Sequence, residues 1–228
     1  MNDVLNQLRG RLVVSCQAYP EEPMLDPRTM SQLAQAAVVG GAAGIRAKGL
    51  EDLRLIRQAV TVPIIGIVKV GKEGVYITPT LADCLAVAAT GCEIVALDGT
   101  RRPRPDGLSL AQTIAGLKEQ FPQVLVMADC GSLADAHAAH EAGADILSTT
   151  LAGYSGERPK TDGPDWELVE QLVRDFPDEP VLVEGRIHTP GDAAQAIQLG
   201  AHSVVVGTAI THPTSITRWF VEAIDEGN

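Results

Sequence analysis

The sequence predicts an α/β fold in which eight parallel strands alternate with helices and close into a single (β/α)8 barrel, a TIM barrel, over residues 1–228. Eight short apolar segments recur along the chain, each separated from the next by a segment long enough for a helix. The length is close to the roughly 250 residues usual for such a barrel. No segment looks like an extra edge strand, which favours a closed barrel over an open doubly wound sheet.

The strands share one sequence pattern, in which a glycine, a small or polar residue and an apolar run follow one another. The run Pro63–Lys69 is the clearest, because it is β-branched and free of polar residues until Lys69, as expected for a strand buried on both faces of a parallel sheet. The predicted strands are Leu12–Cys16, Ala42–Arg46, Ile64–Lys69, Glu93–Leu97, Val124–Asp129, Asp145–Ser148, Val181–Glu184 and Ser203–Val206.

Several helices are marked by their ends. Three begin with a capping residue followed by proline, and the last of these also has an acid where a capping box would need it. The three starts are Asp26-Pro27, Thr78-Pro79 and Thr189-Pro190, the last with Asp192. Other helices stop at a glycine suited to a left-handed C-terminal cap, namely Gly91, Gly143 and Gly200.

The carboxyl-terminal segment has apolar residues at the spacing of a helix face. They are Ile216, Trp219, Phe220, Ala223 and Ile224. We expect this face to pack on the barrel of its own chain, and packing on a second subunit is the alternative.

Composition restricts the partners and the compartment. A net charge of −11 argues against nucleic acids and anionic membranes, because phosphate-rich surfaces require a basic face. No Cys-x-x-Cys pair occurs, the first ten residues lack the apolar core of a signal peptide, and no apolar run approaches the ~18 residues that span a bilayer. We therefore expect a cytoplasmic protein whose cysteines are small core residues, namely Cys16, Cys84, Cys92 and Cys130.

Charged and polar residues stand at the carboxyl ends of the predicted strands. In a parallel barrel the active site is built from the loops that follow the strands, so these residues are the candidates for chemistry. They are Gln17, Arg46, Lys69, Asp98, Asp129 and Glu184.

Lys69 has two interpretations. Its stem could line the barrel mouth with the ammonium in water, or the amine could act on a substrate. A base at pH 7 needs a pKa roughly 3 units below the ordinary 10.4. Desolvation and Arg46 would lower the pKa, whereas ionised Asp129 and Glu184 would raise it, so the sequence leaves the balance open.

The two acids are candidates with different roles. Glu184 ends an apolar strand, an environment that raises a carboxyl pKa and keeps a proton available, and the alternative is an ion pair with Arg46 or Lys69. Asp129 is expected to orient Lys69 or to bind substrate. Asp98 could simply cap the loop that leads to Arg101.

Glycines after the last two strands predict a phosphate site. Gly185 follows the seventh strand, and Gly207 and Thr208 follow the eighth, where many barrels bind phosphate with loop amides and a short helix. The alternative for Gly207 is that it only turns the chain.

The five histidines do not predict a metal site. His137 and His140 lie three residues apart on a helix outside the barrel and lack the His-Glu-x-x-His order, so we interpret them as a solvated helix face. His188 and His212 follow barrel strands and are candidates for substrate contact.

Motifs from the first strand to the last resemble one known family. The segments are Ser15-Cys-Gln17, Gly44-Ile-Arg46, Pro63–Lys69, Ala96-Leu-Asp-Gly-Thr100, Arg102-Pro-Arg-Pro105, Met127-Ala-Asp129, Thr149–Tyr154, Val183-Glu-Gly-Arg186 and Val206–Thr211. Together they resemble the N-acetylmannosamine-6-phosphate 2-epimerase family. The resemblance implies a cytoplasmic, homodimeric enzyme of sialic acid catabolism that interconverts N-acetylmannosamine 6-phosphate and N-acetylglucosamine 6-phosphate without a metal or organic cofactor.

The resemblance also implies roles for individual residues. Lys69 and Glu184 correspond to the proton-transferring pair of the family. The substrate-binding residues that it implies are Gln17, Arg46, Asp129, Tyr154 and Arg186. Two features depart from the family, because His212 stands where an arginine is frequent and the loop over residues 70–74 looks short.

Our hypothesis from these residues is epimerisation at carbon 2. Lys69, or a hydroxyl of the substrate aided by it, would remove a proton, Glu184 would return one to the opposite face, and Arg46 with backbone amides would stabilise the enolate-like oxygen. Two other functions remain open at this point. One is an aldolase that forms a Schiff base through Lys69, and the other is a barrel that binds phosphosugars without catalysis.

Overall fold

The computed structural model describes residues 3–227, which contain eight parallel strands closed into a barrel. Each strand pairs with its neighbours in chain order, and the first pairs with the last. The strands are β1 (Arg11–Cys16), β2 (Gly44–Lys48), β3 (Ile64–Ile67), β4 (Ile94–Asp98), β5 (Leu125–Asp129), β6 (Ile146–Ser148), β7 (Val181–Glu184) and β8 (Ser203–Val206). The predicted (β/α)8 barrel is confirmed.

Helices surround the barrel, and one precedes the first strand. They are α1 (Asp3–Leu8), α2 (Pro27–Val39), α3 (Leu50–Ala59), α4 (Leu81–Ala88), α5 (Leu110–Gln120), α6 (Leu133–Glu141), α7 (Trp166–Asp175), α8 (Pro190–Gln198), α9 (Thr208–Thr211) and α10 (Pro213–Glu226). None of the helices within residues 3–227 has the length and hydrophobicity needed to cross a membrane.

Several strand boundaries differ from the prediction by one or two residues, and the carboxyl ends of β2 and β3 differ by two. β2 was predicted to end at Arg46 but runs to Lys48, because its pairing with β3 continues to Ile67. β3 was predicted to include Lys69 but ends at Ile67, and Lys69 instead forms an isolated antiparallel bridge with Ile77. An apolar run alone does not show where a strand stops pairing with its neighbours.

Most of the helix-end predictions are confirmed. The Asp26 side chain caps α2, and Thr189 and Asp192 form a capping box on α8. The prediction for Thr78 is wrong, because Thr80 caps α4 in a box with Asp83. The three predicted stop glycines have φ of 85°, 91° and 103° at Gly91, Gly143 and Gly200.

Alternation along the strands decides which side chains face the barrel interior. Val13, Ile65 and Leu182 belong to the apolar cluster inside the barrel. Residues two further along each strand point to the same side. Glu184, two residues after Leu182 and at the carboxyl end of β7, therefore points toward the barrel axis. The same alternation holds along the other strands.

The carboxyl-terminal helix packs less closely than expected. No residue of α10 is buried. Ile216 and Trp219 are half-buried on the barrel, whereas Phe220 is 69% exposed and Val221 is 50% exposed. The expected packing on the same chain is therefore seen for Ile216 and Trp219 but not for Phe220, because this face is wider than the strip that reaches the barrel.

Gly66 on β3 lies where the sheet and two helices approach each other. An added Cβ would lie 2.7 Å from Val87 Cγ1, 3.0 Å from Cys92 Sγ and 3.2 Å from Leu53 Cδ1. We expect Gly66→Ala to lower the free energy of unfolding by about 1–3 kcal/mol, the usual cost of overpacking a core. Urea denaturation checks this value.

Gly191→Ala is the matched control for this prediction. Gly191 is exposed in the first turn of α8, and its added Cβ would lie 3.5 Å from Thr189 Oγ1, an ordinary contact. We expect the control to be as stable as the parent or slightly more stable, because alanine favours helix. Equal stability of both variants would contradict the packing argument.

Candidate active site

A cavity of about 1040 Å³ opens at the carboxyl end of the barrel. Eight of the ten predicted site residues line it, namely Gln17, Lys69, Tyr154, Glu184, Gly185, Arg186, Gly207 and Thr208. The other two, Arg46 and Asp129, are buried beside Glu184 and do not line the cavity.

Arg46 joins the two acids. Its Nη1 donates to Glu184 Oε2 and, at 3.1 Å, to Asp129 Oδ1, while Nη2 donates to Asp129 Oδ2 at 2.5 Å. Arg46 and Asp129 are 1% and 0% exposed, so this is a buried ion pair that a third charge joins from the cavity side. Direct contact of either residue with substrate stays a prediction.

Glu184 combines the two interpretations that the sequence offered. It is paired with Arg46, and it also lines the cavity, where its side chain is 15% exposed. Burial raises its pKa and the nearby Asp129 carboxylate adds to the rise, whereas Arg46 and a 3.0 Å hydrogen bond from Thr150 Oγ1 oppose it. The net direction is upward, so Glu184 retains a proton more readily than an ordinary glutamate.

The environment of Lys69 settles the direction that the sequence left open. Its side chain is exposed to solvent at the cavity, and the protein packed around the amine still removes part of its hydration. Desolvation, assisted by repulsion from Arg46, lowers its pKa from 10.5 to about 8, against the opposing pull of Glu184. At pH 7 about one amine in ten is then neutral, compared with about three in ten thousand for an unperturbed lysine.

Lys69 and Glu184 face the same space. Both line the cavity, and the charge of each acts on the pKa of the other, in the direction that opposes the net shift. An amine with a lowered pKa opposite a carboxyl with a raised pKa can exchange protons with a molecule held between them.

Gln17 and the predicted phosphate residues lie at the same opening. Gln17 Nε2 donates to Ser15 Oγ at 2.8 Å, which orients the amide at the cavity wall. Gly185 has φ of 113°, and Gly207 precedes the short helix α9 that starts at Thr208. Gly207 both turns the chain and lines the cavity, so its two interpretations are compatible. Phosphate binding by these residues stays a prediction.

Arg186 supports the loop over residues 152–163. It has φ of 57°, and its guanidinium donates to Gly163 O, Ala152 O and Thr161 Oγ1 at 2.8, 2.9 and 2.9 Å. The guanidinium also lies 5.5 Å from the centre of the Tyr154 ring. Arg186 therefore holds the loop that brings Tyr154 to the cavity, and its contact with substrate stays a prediction.

Sequence reasoning missed three lysines of the cavity, namely Lys48, Lys72 and Lys160. Lys48 ends β2 and its Nζ donates to Ala18 O at 2.6 Å, and Lys160 lies 5.2 Å from the centre of the Tyr154 ring. Lys48 could have been found from alternation, because it follows Arg46 by two residues. Lys160 lies in an irregular loop, where no pattern indicates orientation.

His212 lines the cavity but is engaged in other contacts. Its Nδ1 accepts from the Ser215 backbone N–H at 3.3 Å, which caps α10, and its Nε2 lies 3.1 Å from Glu22 Oε1. Because Nδ1 accepts this hydrogen bond, the ring is oriented as a helix cap. With both ring nitrogens facing residues of this chain, His212 differs from an arginine that points into the cavity without a partner.

The other candidates have contacts of their own. Asp98 accepts from the Thr100 backbone at 3.0 Å and from Arg102 Nη2 at 2.7 Å, as expected for a loop cap. The ring of His188 lies 4.7 Å from that of Trp219. Within residues 3–227 no group of three or more histidine, cysteine or acidic side chains is arranged to hold a metal ion.

Comparisons with known proteins agree with these observations. The family model NanE, described as "Putative N-acetylmannosamine-6-phosphate epimerase", matches residues 30–226. A "Putative N-acetylmannosamine-6-phosphate 2-epimerase" of Cutibacterium acnes is 59% identical over 222 residues, which cover 97% of this chain and 96% of the relative. A relative of the same description from Clostridioides difficile is 46% identical over 97% of this chain and 99% of its own length.

Solved structures share the fold. The N-acetylmannosamine-6-phosphate 2-epimerase from Clostridium perfringens has a TM-score of 0.92 and 40% identity, and the match covers 96% of this chain and 95% of the other. A thiamine phosphate pyrophosphorylase from Pyrococcus furiosus has a TM-score of 0.61 at 19% identity, which shows a common fold alone. The cavity, its amine and acid, and these similarities together show that the chain belongs to the NanE family.

Proposed function

We propose that this chain is an N-acetylmannosamine-6-phosphate 2-epimerase, which interconverts N-acetylmannosamine 6-phosphate and N-acetylglucosamine 6-phosphate in amino sugar and sialic acid catabolism. Membership of the NanE family and the high identities to relatives of this description support the substrate and the reaction. The mechanism rests on one observation. Lys69 and Glu184 line one cavity, with the pKa of the amine lowered and that of the carboxyl raised.

Epimerisation at carbon 2 needs two proton transfers on opposite faces of the open-chain sugar. The neutral amine of Lys69 removes the weakly acidic proton next to the carbonyl carbon, and the electron pair of the broken C–H bond moves toward the carbonyl oxygen. Glu184 then delivers its proton to the other face of carbon 2, which inverts the centre. Backbone amides near Gly185 and Gly207 hold the phosphate and keep the sugar between the two groups.

Arg46 acts on this pair through Glu184. After Glu184 has given up its proton, the guanidinium stabilises the remaining carboxylate through a charge-assisted hydrogen bond. Asp129 accepts two hydrogen bonds from the same guanidinium and holds it in place. Burial raises the pKa of Glu184 and Arg46 lowers it, and these opposing effects suit a group that both donates and regains a proton.

An aldolase is the one rival that an observation favours, because an amine with a pKa of about 8 also suits Schiff-base formation. In that reaction the nitrogen bonds to a carbonyl carbon and water leaves. Borohydride added during turnover would reduce the imine and leave a stable adduct on Lys69. Trapping of such an adduct would favour the aldolase over the epimerase.

The cysteines support a reducing, cytoplasmic compartment. All four are free and buried. Burial raises the pKa of Cys16 to about 12 and that of Cys92 to about 11, which keeps both thiols protonated and unreactive.

The reaction predicts solvent exchange at carbon 2. In deuterated water, N-acetylmannosamine 6-phosphate should yield the second epimer with deuterium at carbon 2, observed by proton NMR as loss of that signal. Binding without exchange would instead support a barrel that only holds phosphosugars.

Lys69→Met should lower turnover by about 10³-fold or more, because it removes the base and replaces it with an uncharged side chain of similar length.

Lys118→Met is the control for the lysine variant. Lys118 lies on α5, where its Nζ pairs with Asp145 Oδ2 at 2.6 Å, and it does not line the cavity. It should keep turnover within about threefold, and both variants should keep their affinity for the substrate phosphate. Turnover retained by Lys69→Met would remove Lys69 from the mechanism.

The pH dependence follows from the number of protons on the pair. In one direction Lys69 starts neutral and Glu184 protonated, and in the reverse direction the ammonium donates and the carboxylate accepts. In both directions the active form therefore carries the same number of exchangeable protons, which is one more than when Lys69 is neutral and Glu184 is ionised. Since the pKa of Lys69 is about 8, that proton is lost as the pH rises through about 8.

We expect kcat/KM to fall about tenfold per pH unit well above this value, with the same midpoint in both directions. The alkaline side is the informative one, because the substrate phosphate titrates near pH 6 on the acid side. Activity that rises steadily from about pH 7 to about pH 9 would show that a neutral amine alone is needed, as in a Schiff-base mechanism.

The protein works as a homodimer that covers the exposed face of α10. Phe220 and Val221, which are 69% and 50% exposed on this helix, support an additional contact surface. Phe220→Asp should convert the dimer into a monomer, measured by light scattering after size exclusion. Glu222→Gln on the same helix should leave the mass unchanged, and a monomeric parent protein would refute the dimer.

A further inference from the structure

Lys69 lies on a hairpin beyond the end of β3, and its bridge partner is Ile77 of the same hairpin rather than a residue of a barrel strand. β3 ends at Ile67, and residues 68–78 leave the barrel and return. The outgoing and returning arms pair through the Lys69–Ile77 bridge, a 2.9 Å bond from Val70 N to Tyr76 O and a 2.8 Å bond from Thr78 N to Val68 O. The position of the Lys69 amine therefore depends on how the returning arm is held.

The returning arm is fastened to the end of β4. Asp98 N donates to Ile77 O at 3.0 Å. The next residue, Thr78, has φ of 43°, a left-handed conformation that is uncommon for a residue other than glycine. Thr78 is fully buried, and its Oγ1 accepts from Val68 N at 3.3 Å. A strained, buried residue at the base of the hairpin needs partners that keep it in this conformation.

Arg104 supplies the bond that spans the hairpin base and the strand. Its Nη1 donates to Asp98 O at 2.8 Å, and its Nη2 donates to Thr78 O at 3.0 Å. The residue is 6% exposed, and no carboxylate within residues 3–227 lies at ion-pair distance from it. Its Nε is buried without a hydrogen-bond partner in this part of the chain.

A buried guanidinium with only carbonyl partners is expensive to desolvate. Its planar fork can reach two carbonyls at fixed directions, which a lysine ammonium cannot do in the same way. Pro103 and Pro105 flank the arginine, and each restricts its own φ and the conformation of the residue before it. The Arg102-Pro-Arg-Pro105 motif thus directs one side chain inward, although the mechanism above gives it no task.

We propose that Arg104 is a positioning residue, which holds the Thr78 carbonyl against the end of β4 and thereby sets the place of Lys69 in the cavity. This inference rests on the proposed function for its kinetic test. The position of Lys69 itself can be measured without turnover. Arg104 touches neither the cavity nor the reacting atoms, so it acts through the hairpin.

The key experiment compares Arg104→Lys with the parent protein. The pH dependence of Lys69 acetylation by acetic anhydride, followed by peptide mass spectrometry, gives the pKa of the amine in each. The groups that act on this amine are Arg46, Lys48, Glu184 and Asp129. Arg104→Lys changes none of them and keeps the local charge, so any shift reports displacement of Lys69.

We expect the labelling pKa of Lys69 to rise from about 8 toward the ordinary 10.4 in Arg104→Lys, because a released hairpin exposes the amine to water. We also expect kcat to fall at least tenfold with KM changed less than about threefold, and the alkaline limb of the rate to move upward with the labelling pKa. Arg104→Gln should show the same effects more strongly.

Arg57→Lys is the matched control. Arg57 also donates to backbone carbonyls, Val60 O and Val62 O, and pairs with Glu93, but at the opposite end of the barrel. It should lower the urea midpoint as much as Arg104→Lys without moving the labelling pKa of Lys69. A folded Arg104→Lys protein with an unchanged labelling pKa would overturn the inference. If Arg104→Gln fails to fold, the lysine variant still decides.

The two proposals can fail separately. A wild-type protein that does not epimerise, but whose Lys69 pKa rises in Arg104→Lys, would retain the positioning role and lose the proposed reaction. An active wild-type protein whose Lys69 pKa is unchanged in Arg104→Lys would retain the proposed reaction and lose the positioning role.

Discussion

Arg46 occupies the barrel interior between two acids from different strands, and the rest of the site depends on this contact. Its guanidinium joins β2 to Asp129 of β5 and to Glu184 of β7. Without it, two carboxylates would share a buried volume, and their repulsion would keep at least one protonated at all useful pH values. With it, Glu184 has a raised pKa and still has a stabilised ionised state, which is what reversible proton transfer demands.

The partner of this acid is held in a different way. Lys69 stands on the hairpin beyond β3, where the amine reaches solvent through the cavity while the surrounding protein lowers its pKa to about 8. The acid is therefore part of the rigid barrel, whereas the amine belongs to a loop with its own anchor. The barrel therefore fixes Glu184 on one side of the substrate, while the contacts of the hairpin set the position of Lys69 on the other side.

Much of the fold was predictable because its signals are local. The eight apolar runs, the Asp26 cap and the Thr189–Asp192 capping box depend on neighbours a few residues away, and all are confirmed. The predictions that are wrong concern long-range contacts. Thr78 resembled a helix cap before its proline, but tertiary contacts hold it in a left-handed conformation, and the helix starts at Leu81.

The sequence by itself determined the barrel, the family resemblance and the residues that meet at one end, because strand alternation and parallel topology send those residues to the same face. It indicated Lys69 and Glu184 but left the sign of the lysine pKa shift open. Only the tertiary structure decided that sign, the burial of Arg46 with Asp129 away from the cavity, and the place of Lys69 on a hairpin. Desolvation and ion pairing depend on distances between residues far apart in the chain, and no local pattern records those distances.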